Sequence, residues 1–161
     1  MLISRATDYA VRLLAALSNS GGARLKVADL AVATSVPKNY VLKVMVPLVR
    51  RGWVQSCRGS GGGFLLVEKT EKITLLDVVE LFEGSVHLNR CTGPTGCQFL
   101  PRCPVHSVWL EAEAELRRVL TNYNIADLAA KGRPRGLFVP GDIDCVPNSD
   151  GSGPVQQSRT S

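Results

Sequence analysis

Apolar positions recur at helical spacing near the N-terminus. Tyr9, Leu13 and Leu17 repeat every four residues, with Ala10 and Leu14 beside them, and the pattern predicts a helix over residues 4–18. Asn19-Ser20-Gly21-Gly22 stops it. A second short helix is predicted over about 26–34, with Val27, Leu30 and Ala31 inward. Pro37 suits the first turn of a third helix, where a missing N–H costs nothing. In that helix Val41, Val44, Met45 and Leu48 form an i, i+3, i+4, i+7 stripe; Asn39, Lys43 and Arg50 fall on the other side, with Lys38 near the N-terminus. Pro47 is expected to kink or loosen the last turn and leave the first two intact, and Gly52 to end the helix. Trp53-Val54-Gln55-Ser56-Cys57 reads as a strand, Arg58-Gly59-Ser60-Gly61-Gly62-Gly63 as a glycine-rich turn, and Phe64-Leu65-Leu66-Val67 as a second strand. Three short helices followed by a two-stranded hairpin is the order of a winged helix-turn-helix.

A fourth helix is predicted over about 75–83. Thr74 and Asp77 make a capping-box start, Leu75, Val78, Val79 and Phe82 face inward, and Gly84 closes it. A longer helix over about 104–123 carries Val105, Val108, Trp109, Ala112, Leu116, Val119, Leu120 and Tyr123 as one stripe. At 1.5 Å per residue it would be about 30 Å long. That stripe is more than the preceding small lobe can cover, so a second copy of the chain is expected on it, in a two-fold homodimer. From Gly132 onward Gly, Pro and Ser dominate, and the tail is expected to be disordered. The expected fold is mainly α. Residues 1–70 form a winged helix-turn-helix DNA-binding domain of three helices and a two-stranded wing. Residues 71–130 hold a cysteine loop and a dimerisation helix, and 131–161 the tail.

Charge sharpens this picture. The 161 residues carry a net +5, unevenly placed. Residues 1–66 hold nine Lys/Arg against two acids, and residues 67–161 ten against twelve. A basic N-terminal half points to a polyanionic partner. The N-terminal apolar stretch includes Asp8 and Arg12 and is too short and too charged for a membrane span. No small-residue cleavage site follows it, so a cytoplasmic protein with reduced thiols is expected.

In a helix-turn-helix the second helix of the pair presents its N-terminal residues to base edges in the major groove. Here those are Lys38, Asn39, Tyr40 and Lys43. Asn can pair with adenine and Lys can donate to guanine, while Tyr40 suits a phosphate. Arg58 on the wing, with Ser60 and the glycines around it, suits a narrow minor groove. Arg50, with Arg5, Lys26 and Arg51, is a phosphate candidate. The wing glycines lack the G-x-x-x-x-G-K-[ST] spacing of a phosphate-cradling loop, and no helix follows them. No flavin or nicotinamide motif and no paired catalytic carboxylates point to an enzyme.

Three of the five cysteines fall in Cys91-Thr-Gly-Pro-Thr-Gly-Cys97-Gln-Phe-Leu-Pro-Arg-Cys103-Pro-Val-His106. Three thiolates on a tight loop can hold a soft metal centre, with His106 within reach as a fourth ligand. Cys3His is also an accepted zinc set, and spacing alone favours neither metal strongly, although the five-residue gaps are wider than the usual zinc knuckle. Cys57 is a packing residue or a reactive thiol, Cys145 lies in the tail, and His87 has no metal-spaced neighbour and reads as simply exposed.

Over residues 1–130 the chain resembles the IscR/NsrR family of winged-helix bacterial transcription regulators. The resemblance lies in ISRATDYAVRLLAAL, in VPKNYVLKVMVPLVRRGWVQSCRGSGGGFLL, in ITLLDVVELFEG, and in C-x5-C-x5-C-x2-H-x2-W running into IADLAA, all in the right order. It implies a repressor-type homodimer on double-stranded DNA with a near-palindromic operator. It also implies an iron–sulfur cluster on Cys91, Cys97 and Cys103 that senses redox state, nitric oxide or iron–sulfur status. The Cys-x2-His-x2-Trp match favours His106 as fourth ligand and a [2Fe–2S] cluster. Asp8, in TDYA, matches the position where NsrR-like members recruit a carboxylate from the other subunit, implying [4Fe–4S]. Some relatives lack the cysteines and still regulate transcription. The alternative is therefore a metal-free or zinc-bound winged-helix factor with structural cysteines.

Overall fold

The computed structural model describes residues 3–59 and 61–131, apart from the side chain of Pro101. Six helices and one two-stranded sheet follow one another along the chain: α1 Arg5–Asn19, α2 Val27–Thr34, α3 Lys38–Arg50, β1 Val54–Cys57, β2 Gly63–Leu66, α4 Leu75–Glu83, α5 His106–Thr121 and α6 Ile125–Lys131. Single 3-10 turns lie at Thr70–Lys72, Arg90–Thr92 and Leu100–Arg102. Ser60 of the wing and the tail from Gly132, Cys145 included, fall outside the described residues.

Helix α1 is the centre of the molecule, with α2, α3, α4, α6 and β2 all packed on it. Its period puts Ala10, Leu13, Leu14 and Leu17 on one fully buried face. They meet Leu30 from α2, Val41, Val44, Met45 and Leu48 from α3, and Val78 and Ile125 from α4 and α6. Ser4 caps α1 by accepting from the Thr7 N–H. Glu83, at the end of α4, accepts from the backbone N–H and hydroxyl of Ser4, at 3.0 and 2.6 Å, and from the Thr7 hydroxyl. These bonds hold its carboxyl below the usual range and pin α4 to the start of α1.

The expected third helix is present and continuous. Pro47 removes one ladder bond, yet α3 runs to Arg50, and the Arg51 N–H closes the last turn on the Pro47 carbonyl at 2.9 Å. Gly52 then takes φ +81°, which a side chain would resist. β1 and β2 pair antiparallel, Val54 opposite Leu66 and Cys57 opposite Gly63. Leu25 adds a one-residue third strand, exchanging both backbone hydrogen bonds with Phe64 at 2.8 and 2.9 Å. The wing base is thereby welded to the α1–α2 connection.

The Thr74–Asp77 capping box forms as expected. α5 is shorter than the expected 104–123. It begins at His106 and ends at Thr121, because the chain must turn for the Tyr123 carbonyl to accept from Leu75 N–H at 2.7 Å. That bond, with Ile125 N–H donating to Ile73, sets α6 back against α1. The α5 stripe is split. Leu120, with Leu116 beside it, packs on Val79 and Val86 near α4, and Arg117 pairs with Glu80 at 2.7 Å. Val105, Val108, Ala112, Val119 and Tyr123, on the other edge, stay exposed.

Candidate nucleic-acid interface and cysteine loop

At about 100° per residue, the buried stripe of α3 leaves Asn39, Lys43, Val46 and Arg50 directly opposite, with Lys38 at the N-terminus. All five are exposed. Tyr40 lies to one side and is held there. Tyr9 of α1 meets its ring edge-to-face at 5.8 Å between centroids, and Lys43 Nζ lies 5.4 Å from its centroid. The pair fixes where a cation and a hydroxyl-bearing ring leave the helix. Arg51 is turned back over Trp53, at 5.6 Å.

Arg58 is exposed at the tip of β1, followed by Gly59 at φ +106°. The wing glycines do more than leave room for DNA. A Cβ on Gly62 would lie 2.9 Å from the carbonyl oxygens of Cys57 and Gly59, and one on Gly63 only 2.4 Å from that of Leu25. Beside Gly61 lies the Arg24 guanidinium, with Nη2 2.9 Å from where a Cβ would stand, so a second cation backs the wing. Arg58→Ala is expected to weaken operator binding by about 1–3 kcal/mol and to relax any A·T preference at the position it reads. Thermal stability should stay within about 0.5 kcal/mol, as for an exposed side chain. Anisotropy titration with unchanged affinity and preference would remove Arg58 from the interface.

The cysteine loop spans two 3-10 turns and ends in α5. Cys91, Cys97 and Cys103 are free and half-buried. His106 opens α5, its backbone N–H donating to the Cys103 carbonyl at 3.4 Å. Its Nδ1 is the one buried side-chain nitrogen or oxygen without a hydrogen-bond partner among the described residues. A buried imidazole nitrogen without a partner is costly unless something binds it. Three thiols and this nitrogen are the donor chemistry of an iron–sulfur or zinc centre. The donors are close in sequence but not gathered: among the described residues no three His, Cys, Asp or Glu side chains converge as a metal site. Asp8 is half-exposed on α1 and paired with Arg12 at 2.8 Å.

Comparison with known proteins settles the family. The Rrf2 family model, "Iron-dependent Transcriptional regulator", matches residues 3–131. The chain belongs to the Rrf2 family. It is similar to Protein aau3 of Rhizobium meliloti (strain 1021), 32% identical over 143 residues that cover 88% of this chain and 92% of the relative. It is also similar to the HTH-type transcriptional regulator IscR of Escherichia coli (strain K12 / DH10B), 31% identical over 121 residues, 74% of this chain and 75% of the relative. The structure of CymR (YrzC), the global cysteine regulator of B. subtilis, superposes with a TM-score of 0.67 at 21% identity, covering 82% of this chain and 98% of that one. This Rrf2 chain is thus a DNA-binding transcriptional regulator, not an enzyme, and no helix among its described residues is long and apolar enough to cross a membrane.

The Rrf2 scaffold also shows residues that the sequence did not single out. His87 is not simply exposed: its Nδ1 lies 3.3 Å from Glu113 on α5. Glu113 also accepts from Leu88 N–H at 3.1 Å. Burial raises the Glu113 pKa, but hydrogen bonds from Thr92, Leu88 and His87 outweigh it and hold the carboxyl below its usual range. Glu113 therefore staples the residues just before Cys91 to α5. Tyr9, which the sequence marks only as part of the α1 stripe, positions Tyr40, and Arg24 backs the wing. Glu113, Tyr9 and Arg24 act here across long sequence separations, and no local pattern marks those contacts.

Proposed function

We propose that this Rrf2 protein is a cytoplasmic homodimer that binds a near-palindromic operator and is controlled by an iron–sulfur cluster on its cysteine loop. Lys38, Asn39, Tyr40 and Lys43 are the proposed base and phosphate contacts of α3, with Arg50 on the backbone and Arg58 and Ser60 on the wing. Cys91, Cys97 and Cys103 are the proposed cluster ligands. The observation that carries the reading is His106: its unpartnered, buried Nδ1 sits one turn of chain after the third thiol of an otherwise uncommitted loop. It is the proposed fourth ligand, with [2Fe–2S] favoured. Asp8 of the other subunit is the alternative, with [4Fe–4S].

When bound, the cluster supplies a centre that oxidants and nitric oxide can attack, with a potential set by its ligands. This chain's own residues supply the rest. Cys91 through His106 span the N-terminal foot of α5, and Glu113 ties the start of that span to the helix. An arrangement imposed on residues 91–106 is therefore imposed on α5. The exposed edge of α5, from Val105 to Tyr123, is the proposed dimer seam, and its burial would supply the hydrophobic drive for association. Repositioning the seam shifts the two reading heads relative to their half-sites. Residues 1–70 then serve as the DNA-binding part and residues 71–130 as the sensing and pairing part.

Oxygen-free purification, a visible spectrum and iron and sulfide analysis test the cluster. A brown protein with equal iron and acid-labile sulfide is expected. Colourless protein with stoichiometric zinc would overturn the sensor reading. The second reading, a metal-free or zinc-bound factor, draws on the ungathered thiols and on the similarity to a cysteine regulator, CymR.

A further inference from the structure

The outward face of α3 is not wholly polar. Leu42 and Val46, among Lys38, Asn39, Lys43 and Arg50, are 52% and 48% exposed. Leu42, Met45, Val46, Val49 and Arg50 of α3 line a groove of about 360 Å³ together with Ser56 and Phe64 of the wing. Val49 packs against the core beside Val41, Val44, Met45 and Leu48, but Leu42 and Val46 are not among the residues packed on it. Exposed apolar surface of this kind marks a contact. The cations around it make a polyanion the fitting occupant. On the floor of the major groove, the one apolar group that a base pair presents is the C5-methyl of thymine.

We propose that Leu42 and Val46 read thymine methyl groups in the operator, making them specificity residues alongside Asn39 and Lys43. The two lie one helical turn apart, about 6 Å along the axis, and so span about two base-pair steps. Each half-site then carries one or two thymines recognised through their methyls. Arg50, beside the groove, takes the neighbouring phosphate. The proposal rests on α3 being the helix that enters the major groove.

The test uses full-length protein prepared without oxygen and an operator selected by that protein from a random duplex pool. Each thymine is replaced singly by deoxyuridine, which removes the methyl and keeps every hydrogen-bonding group. For the wild type, affinity is expected to fall about three- to fivefold at one or two thymines of each half-site, the factor carried by one methyl-sized group returned to water. In Leu42→Ala or Val46→Ala the penalty at the corresponding thymine should vanish, while the penalties at the other thymines persist. A selected operator that tolerates deoxyuridine everywhere, or a penalty that survives in both variants, would overturn this proposal alone. A pool that yields no preferred sequence would overturn the operator reading and this proposal with it.

Discussion

Cys97→Ser should leave a folded protein that takes up no iron–sulfur cluster. None of the three loop cysteines belongs to the buried core, and Cys97 sits between two short turns whose backbone bonds do not involve its side chain. The substitution exchanges sulfur for oxygen on a half-buried loop, so secondary structure and thermal stability should stay within about 0.5 kcal/mol of wild type. A serine hydroxyl remains protonated at neutral pH and is a poor ligand for iron, so the visible absorption should disappear after reconstitution with ferrous salt and sulfide. If the variant still assembles the cluster and answers the same signal, the ligand set is wrong. His106→Ala and Asp8→Ala beside it separate the two fourth-ligand readings. Loss or a changed spectrum in the first alone selects His106; in the second alone it selects Asp8.

Gly63→Ala should cost far more stability than its size suggests. The added Cβ would stand 2.4 Å from the Leu25 carbonyl oxygen and 2.9 Å from its carbon, and both are backbone atoms in a bridge that cannot swing aside. Relief requires breaking the paired Leu25–Phe64 hydrogen bonds at the base of the wing. A destabilisation of about 2–4 kcal/mol is expected, lowering the melting temperature by on the order of 10 °C. Gly93→Ala is the control, since its Cβ would meet only ordinary contacts with the His87 ring at 3.5 Å. Calorimetry showing equal melting temperatures for the two variants would mean that the bridge does not brace the wing.

That glycine illustrates what the sequence could and could not convey. Helices α1, α3 and α4 were legible because each buries one face against a single core, which forces apolar residues into an i, i+3, i+4 rhythm. The wing was legible from its glycines, but their purpose was not. Gly62 is crowded by the Cys57 and Gly59 carbonyls of its own hairpin, and Gly63 by the carbonyl of Leu25 on a distant part of the chain. Helix α6 was not assigned as an element. It has only seven residues, and its place is fixed by the Ile73 and Leu75 bonds rather than by a strong stripe. The breadth of the α5 stripe was readable, but not that one edge serves α4 and the other stays open. Thiol spacing was visible at once. Convergence of the thiols is not a local property of the chain, and among the described residues no three donors come together.

Occupancy of the cysteine loop is expected to set operator affinity. The direct measurement is an oxygen-free titration of one selected operator with cluster-loaded protein, with the same protein after the cluster is removed, and with Cys97→Ser. Loaded and stripped wild type should differ by about 5- to 150-fold, the range of a 1–3 kcal/mol coupling, and Cys97→Ser should match the stripped protein under both treatments. Equal affinity for loaded and stripped protein, at full cluster content, would mean that the loop does not control DNA binding.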